Sequence, residues 1–194
     1  YGVPAVLMPA HLDAMTVFGI AYKFGMKAVV YDQTLADKVA VIKEKNFGAA
    51  LIDSAQTAQE VTAAIPVPSE TPAAILFTGG TTGKSKGAKL SQRALMAGTK
   101  NGCYGIMDVF EQRYLLVLPL THVFGLIRNL MTSLYTGSSL YICRNNKDMF
   151  RDVAVFKPTI MVLVPALAEM ALNLSVQFGR NMWGPDLKTI ICGA

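Results

Sequence analysis

The chain has 194 residues, 52% of them hydrophobic and 16% charged, with a formal net charge of +5. That length suits one domain with a large core, and the apolar bias is that of the buried part of a larger protein, which predicts exposed apolar surface and self-association through it. Lysines and arginines are spread along the chain with no arginine-aromatic stripe, which excludes nucleic acid as a partner.

Apolar strands alternate with amphipathic helices from the start. Ala5 to Met8 reads as a strand and His11 to Gly25 as a helix, with Leu12, Met15, Val17, Phe18 and Tyr22 near one face. Lys27 to Asp32 is the next strand. Thr34 is expected to cap a helix through Asn46, with Val39, Ile42 and Phe47 inward and Lys38, Lys43, Glu44 and Lys45 outward. Gly48 to Asp53 is a third strand, and the proline-rich stretch Ile65 to Pro72 is a connector. Ala73 to Phe77 is a buried strand. A helix then starts near Ser91, followed by a strand at Arg113 to Pro119 and a helix from about His122. The strand Ser138 to Cys143, a helix from about Asp148, the strand Thr159 to Val164, a helix opened by Pro165 and the strand Lys188 to Cys192 complete the series. This rhythm predicts an α/β fold: a mainly parallel sheet flanked by helices, with right-handed crossovers.

The stretch FTGGTTGKSKG, Phe77 to Gly87, follows directly on a strand. Gly79, Gly80 and Gly83 let the backbone bring its amides against an anion, and Thr78, Thr81 and Thr82 add hydroxyl donors. Lys84 and Lys86 supply point charges for terminal phosphates. The alternatives are a glycine-rich surface turn and the triphosphate loop GxxxxGK[ST] of kinases and NTPases. Gly83, Lys84 and Ser85 fit the end of that loop. Its first glycine would fall at Thr78, however, and it runs straight into a helix, whereas the first capped helical pattern here waits until Ser91. A kinase-like reading would make Lys84 matter more than Lys86. A non-catalytic nucleotide-binding module is the third reading.

The segment resembles the signature of the acyl-adenylate-forming enzymes, which include acyl-CoA synthetases, luciferases and adenylation domains of peptide synthetases. Phe77, Thr78, Gly80, Thr81, Thr82, Gly83, Lys86 and Gly87 match the pattern [YF]T[SG]GTTGxPKG, with Ser85 in place of the proline and Gly79 leaning toward the fatty-acyl-CoA ligase branch. Leu118 to Leu126, LPLTHVFGL, is similar to the family's PLxHxxG block, and Lys157 to Leu167 and Lys188 to Ala194 resemble its later blocks. Alone, His122 reads as a core or capping histidine. Its spacing from the loop fits the family, where that histidine packs beside the reacting carboxylate.

The resemblance implies that Thr78, Gly79, Gly80, Thr81, Thr82, Gly83, Lys84 and Lys86 bind ATP phosphates, Lys84 ranking below Lys86. It implies that Lys86 and His122 serve the reaction. ATP, CoA and a carboxylate are the implied small-molecule partners, with Mg2+ held mainly by residues outside this segment and no metal ligand within it. No acid accompanies Thr121, His122 and Val123, which favours a plain carboxylate, and the Gly79 variant a fatty acid. Family members are longer. The chain, beginning at Tyr1 without a methionine, is therefore expected to be part of the family's N-terminal domain: residues 1–64 a first α/β portion, 65–72 a connector, and 73–194 the loop and a second portion. The mobile C-terminal domain with its catalytic lysine would lie beyond it.

Tyr114 to Ile127 and Asn129 to Cys143 are the longest uncharged runs. Both fall short of the roughly eighteen apolar residues a membrane span requires. Peripheral membrane contact fits an enzyme of fatty acids. Cys103, Cys143 and Cys192 show no metal or redox spacing and read as reduced core thiols of a cytoplasmic protein, a catalytic cysteine being the alternative.

Overall fold

The computed structural model describes residues 2–56, 65–78, 86–103 and 108–193. The chain divides into two compact units: Met8 to Pro66, and Gly2 to Leu7 together with the residues from Val67 onward.

In the first unit, β2 (Ala28–Tyr31) and β3 (Ala50–Asp53) pair in parallel, and α1 (Ala14–Lys23) and α2 (Ala36–Glu44) are its helices. Asp13 caps α1, its carboxylate accepting from the Thr16 amide at 2.9 Å and from the Thr16 hydroxyl, which holds its pKa below the usual aspartate value. The sequence reading needs three corrections here. Met15 and Tyr22 lie exposed, 52% and 70%, and of α1 only Ala21 is fully buried. Asp32, not Thr34, is the capping residue: its carboxylate accepts from the Thr34 amide at 2.9 Å and opens a short 3-10 turn, Gln33–Leu35, ahead of α2. Lys38 does not simply point to solvent, because its ammonium donates to the carbonyls of Ala10 and Leu12 at 2.6 and 2.9 Å. Hydrogen bonds from an ammonium are charge-assisted and so stronger than neutral ones. Val39 and Ile42 are buried as expected.

The second unit holds two sheets. One has the order β1 (Ala5–Leu7), β4 (Pro72–Thr78), β5 (Lys86–Ser91); the other runs β7 (Ser139–Ile142), β6 (Arg113–Leu116), β8 (Ile160–Leu163), β9 (Thr189–Cys192), parallel throughout. All four residues of β8 and three of β6 are buried, as central strands of a parallel sheet must be when helices cover both faces. Leu115, Val117, Met161 and Leu163 form that core with Met149 and Val153 of α5 (Met149–Phe156), and Phe124, Leu167 and Trp183 pack around it. Each such side chain contributes about 1.5–3 kcal/mol by leaving water. Pro165 opens α6 (Pro165–Phe178) at its first turn, and Gly179 closes it in the left-handed conformation, φ 59°. Leu172, Val176 and Phe178 of α6 remain exposed.

The sheet is not wholly parallel. β5 runs antiparallel to β4, a strand missing from the sequence reading. The helix expected near His122 has wide π geometry over Phe124–Met131 and continues as α4 (Thr132–Tyr135). Cys192 is exposed and so is not the core thiol expected, while Cys103 and Cys143 are half-buried; all three are free.

Candidate functional site

Residues 79–85 link β4 to β5 in the sequence. Of the phosphate-loop residues named from the sequence, Gly79, Gly80, Thr81, Thr82, Gly83 and Lys84 lie outside the described residues. Their two neighbours frame the loop. Thr78 and Lys86 face each other in register, with the Thr78 hydroxyl 3.4 Å from the Lys86 carbonyl oxygen, and both are exposed. This geometry separates the two phosphate-loop readings: a strand-loop-helix triphosphate loop would continue into a helix, whereas here the chain returns as a strand beside β4. The helix comes only after it. Ser91 caps α3 (Gln92–Gly102), its hydroxyl accepting from the Ala94 amide at 3.1 Å, where the sequence reading put the helix start.

Register decides which way the stem faces. Ala74 pairs with Leu90, Leu76 with Ala88 and Thr78 with Lys86, so these residues share one face of the hairpin. Ala74 and Leu76 on that face pack with Leu95 of α3 and with Leu126 and Ile127 of the π-helix. The π-helix starts two residues after His122. The loop stem and the histidine are thus carried by elements of one hydrophobic cluster.

His122 itself is exposed and ends a turn: its amide donates to the Pro119 carbonyl at 3.1 Å, and its own carbonyl accepts from the Leu126 amide at 3.0 Å. The Phe124 amide lies 3.5 Å from its Nδ1, at the long end of hydrogen bonding. Several contacts hold the wide helix. Asn129, fully buried, donates to the Leu115 carbonyl at 3.0 Å, and the Thr132 hydroxyl donates to the Ile127 carbonyl five residues back at 2.8 Å. The Arg128 guanidinium donates to the carbonyls of Asn101 and Gly102, closing the end of α3. The sequence reading listed neither Arg128 nor Gly125. Gly125 had a visible signal, three residues after the histidine in LPLTHVFGL; Arg128 had none, because its partners are backbone groups on another helix.

Among the described residues no group of three His, Cys, Asp or Glu side chains could hold a metal ion. Burial, reinforced by the Asp152 carboxylate, pushes the Cys143 thiol up to about 11, which leaves it protonated and a poor nucleophile near neutrality. A cavity of about 510 Å³ lies in the first unit, lined by Tyr31, Val39, Ile42, Lys43, Phe47 and Leu51 among others. None of the residues named for the site lines it. Among the described residues no helix is long and apolar enough to cross a membrane.

The sequence profile of a family described as AMP-binding enzyme matches residues 1–194. Similar curated proteins include the long-chain-fatty-acid–CoA ligase FadD15 of Mycobacterium tuberculosis, 31% identical over 112 residues, which are 57% of this chain and 18% of that protein. Indoleacetate–CoA ligase of Aromatoleum aromaticum is 38% identical over 109 residues, 53% of this chain and 21% of its own. Among solved structures, the inhibitor-bound N-terminal domain of FACL13 from Mycobacterium tuberculosis superposes with a TM-score of 0.84 at 22% identity, over 98% of this chain and 50% of that one. The aligned part is therefore about a fifth of these curated relatives and half of that domain.

Proposed function

Because this chain belongs to the AMP-binding enzyme family, we propose that the protein carrying it activates a carboxylate with ATP as an acyl-adenylate and passes the acyl group to CoA. The observation that carries the reading is the hairpin. A loop of glycines, threonines and lysines is closed by the Thr78–Lys86 pair, and its stem packs on the helix that follows His122.

In the first step a carboxylate oxygen attacks the α-phosphorus in line, and the bond to the bridging oxygen of pyrophosphate breaks. Little covalent chemistry falls to the protein, so positioning and charge stabilisation dominate. Amides of residues 79–83 and the hydroxyls of Thr78, Thr81 and Thr82 donate to the β- and γ-phosphates. Lys86 offsets the charge that grows on the leaving pyrophosphate, with Lys84 secondary. His122 borders the carboxylate end of the acyl pocket. Since no acidic side chain accompanies Thr121 and Val123, the substrate has no ammonium group to balance; a fatty acid is our choice, supported by Gly79. The named relatives act on a long-chain fatty acid and on indoleacetate, both carboxylates with an apolar body. The 194-residue chain alone is expected to bind ATP weakly without turnover.

Carboxylate-dependent pyrophosphate exchange in the full-length protein tests this. Lys86→Ala should lower the rate about 100-fold, as loss of one charge-stabilising donor does, and Lys84→Ala should cost less. Exchange unaffected by Lys86→Ala would refute the role; ATP binding without exchange in the full-length protein would favour the non-catalytic module.

A further inference from the structure

We propose that Gly125 is a positioning residue for His122, and that the turn it permits fixes the imidazole as an Nε2–H donor. The inference rests on the adenylation reading only for what that donor meets; its geometry stands apart. A Cβ at residue 125 would lie 2.5 Å from the Pro119 carbonyl oxygen and 3.1 Å from that of Leu118. Both carbonyls belong to the turn that delivers His122, and the Pro119 carbonyl accepts the His122 amide. Backbone cannot rotate aside as a side chain does. To restore ordinary contact at 3.4 Å the Pro119 carbonyl would have to move about 0.9 Å, the difference between 3.4 and 2.5 Å.

Burial decides which side moves. Leu118 is part of the hydrophobic core, 8% exposed, whereas Pro119 and His122 are exposed. The displacement therefore falls on the Pro119–His122 turn. That turn also sets the approach of the Phe124 amide to Nδ1 at 3.5 Å. A neutral imidazole has one donor and one acceptor nitrogen, so an N–H aimed at Nδ1 leaves the proton on Nε2. A fixed donor there suits a reacting carboxylate.

Nitrogen-15 NMR of the imidazoles in the full chain tests this, since the sequence has two histidines, His11 and His122. At a pH where both rings are neutral, His122 should show a more complete bare-Nδ1, protonated-Nε2 population than His11, since an unconstrained neutral imidazole already favours that tautomer, and in Gly125→Ala the excess should be lost. A protonated Nδ1 in the wild-type chain would overturn the proposal, as would a folded Gly125→Ala chain with unchanged His122 signals. Should the variant not fold, the wild-type comparison decides: a His122 tautomer ratio equal to that of His11 overturns the proposal. In the full-length protein, Gly125→Ala should lower kcat for carboxylate-dependent exchange by about 10- to 100-fold, as a displacement near 1 Å does, with KM for ATP changed less than about twofold. Equal effects on both would count against positioning. Absence of all exchange in the wild-type protein would sink the adenylation reading while the NMR result still judges Gly125.

Discussion

Replacing two glycines of adjacent helices with alanine should move stability in opposite directions, although helix propensity predicts the same gain for both. Gly→Ala in a helix interior is worth about 1 kcal/mol in favour of alanine. At Gly98 of α3 the new methyl would stand 3.2 Å from Cδ1 and Cγ2 of Ile127. A side-chain end can yield a few tenths of an ångström, so Gly98→Ala should be neutral or stabilise by up to about 1 kcal/mol. At Gly125 the nearest atom is the Pro119 carbonyl oxygen at 2.5 Å, with buried Leu118 behind it. A 2.5 Å approach to backbone puts the overpacking cost in the upper part of its usual range, about 2–3 kcal/mol, which outweighs the propensity gain and leaves Gly125→Ala less stable by about 1–2 kcal/mol. Urea unfolding followed by far-UV circular dichroism and by the fluorescence of Trp183, the chain's single tryptophan, should give the two midpoints with similar m-values. If Gly125→Ala were as stable as the wild type, or if both variants shifted alike, the close-approach argument would fail.

Tyr114 is fully buried, and its hydroxyl has no hydrogen-bond partner among the described residues, so Tyr114→Phe should be neutral or stabilise by up to about 1 kcal/mol in thermal melts near neutrality. Burial, with a further push from Cys103 partly offset by Arg128, raises its pKa from 10.0 to about 12. The unfolded chain therefore loses this proton first, and stability present below pH 10 should fall by about 2 kcal/mol as pH rises from about 10 through about 12; comparison of denaturant midpoints at the two ends should show a smaller fall in Tyr114→Phe. Leu76→Ala should destabilise the chain by about 2–5 kcal/mol in urea titrations, because Leu76 ties the loop stem to Leu126 and Ile127; a loss under 1 kcal/mol would mean the stem and π-helix do not share a core. Replacing the exposed Leu172 and Val176 of α6 with glutamine should reduce hydrophobic-dye binding without lowering the melting temperature, and unchanged dye binding would place the open apolar surface elsewhere.

Local rules were enough wherever one segment carries its own cause. Apolar runs such as Ile160–Leu163 announced central strands, and Ser91 and Pro165 announced helix starts, while the glycines, threonines and lysines between Phe77 and Gly87 carry their expected phosphate-binding groups within one short segment. The sequence alone determined the alternation of strand and helix and the chemistry the loop offers. Tertiary structure decided what depends on a distant partner. Lys86–Ser91 has no alternating apolar pattern and becomes a strand because the β4 backbone supplies its hydrogen bonds. Lys38 turned inward because carbonyls 26 and 28 residues away accept its protons. The helix after His122 widened where Gly125 meets a carbonyl and Thr132 reaches back to Ile127. A period of 3.6 apolar residues cannot report such contacts, since they arise between backbones that meet only once the chain has folded. The same limit applies to the site: the loop could be read residue by residue, whereas the packing of Leu76 in its stem against Leu126 and Ile127, just after His122 in the chain, came only with the folded structure.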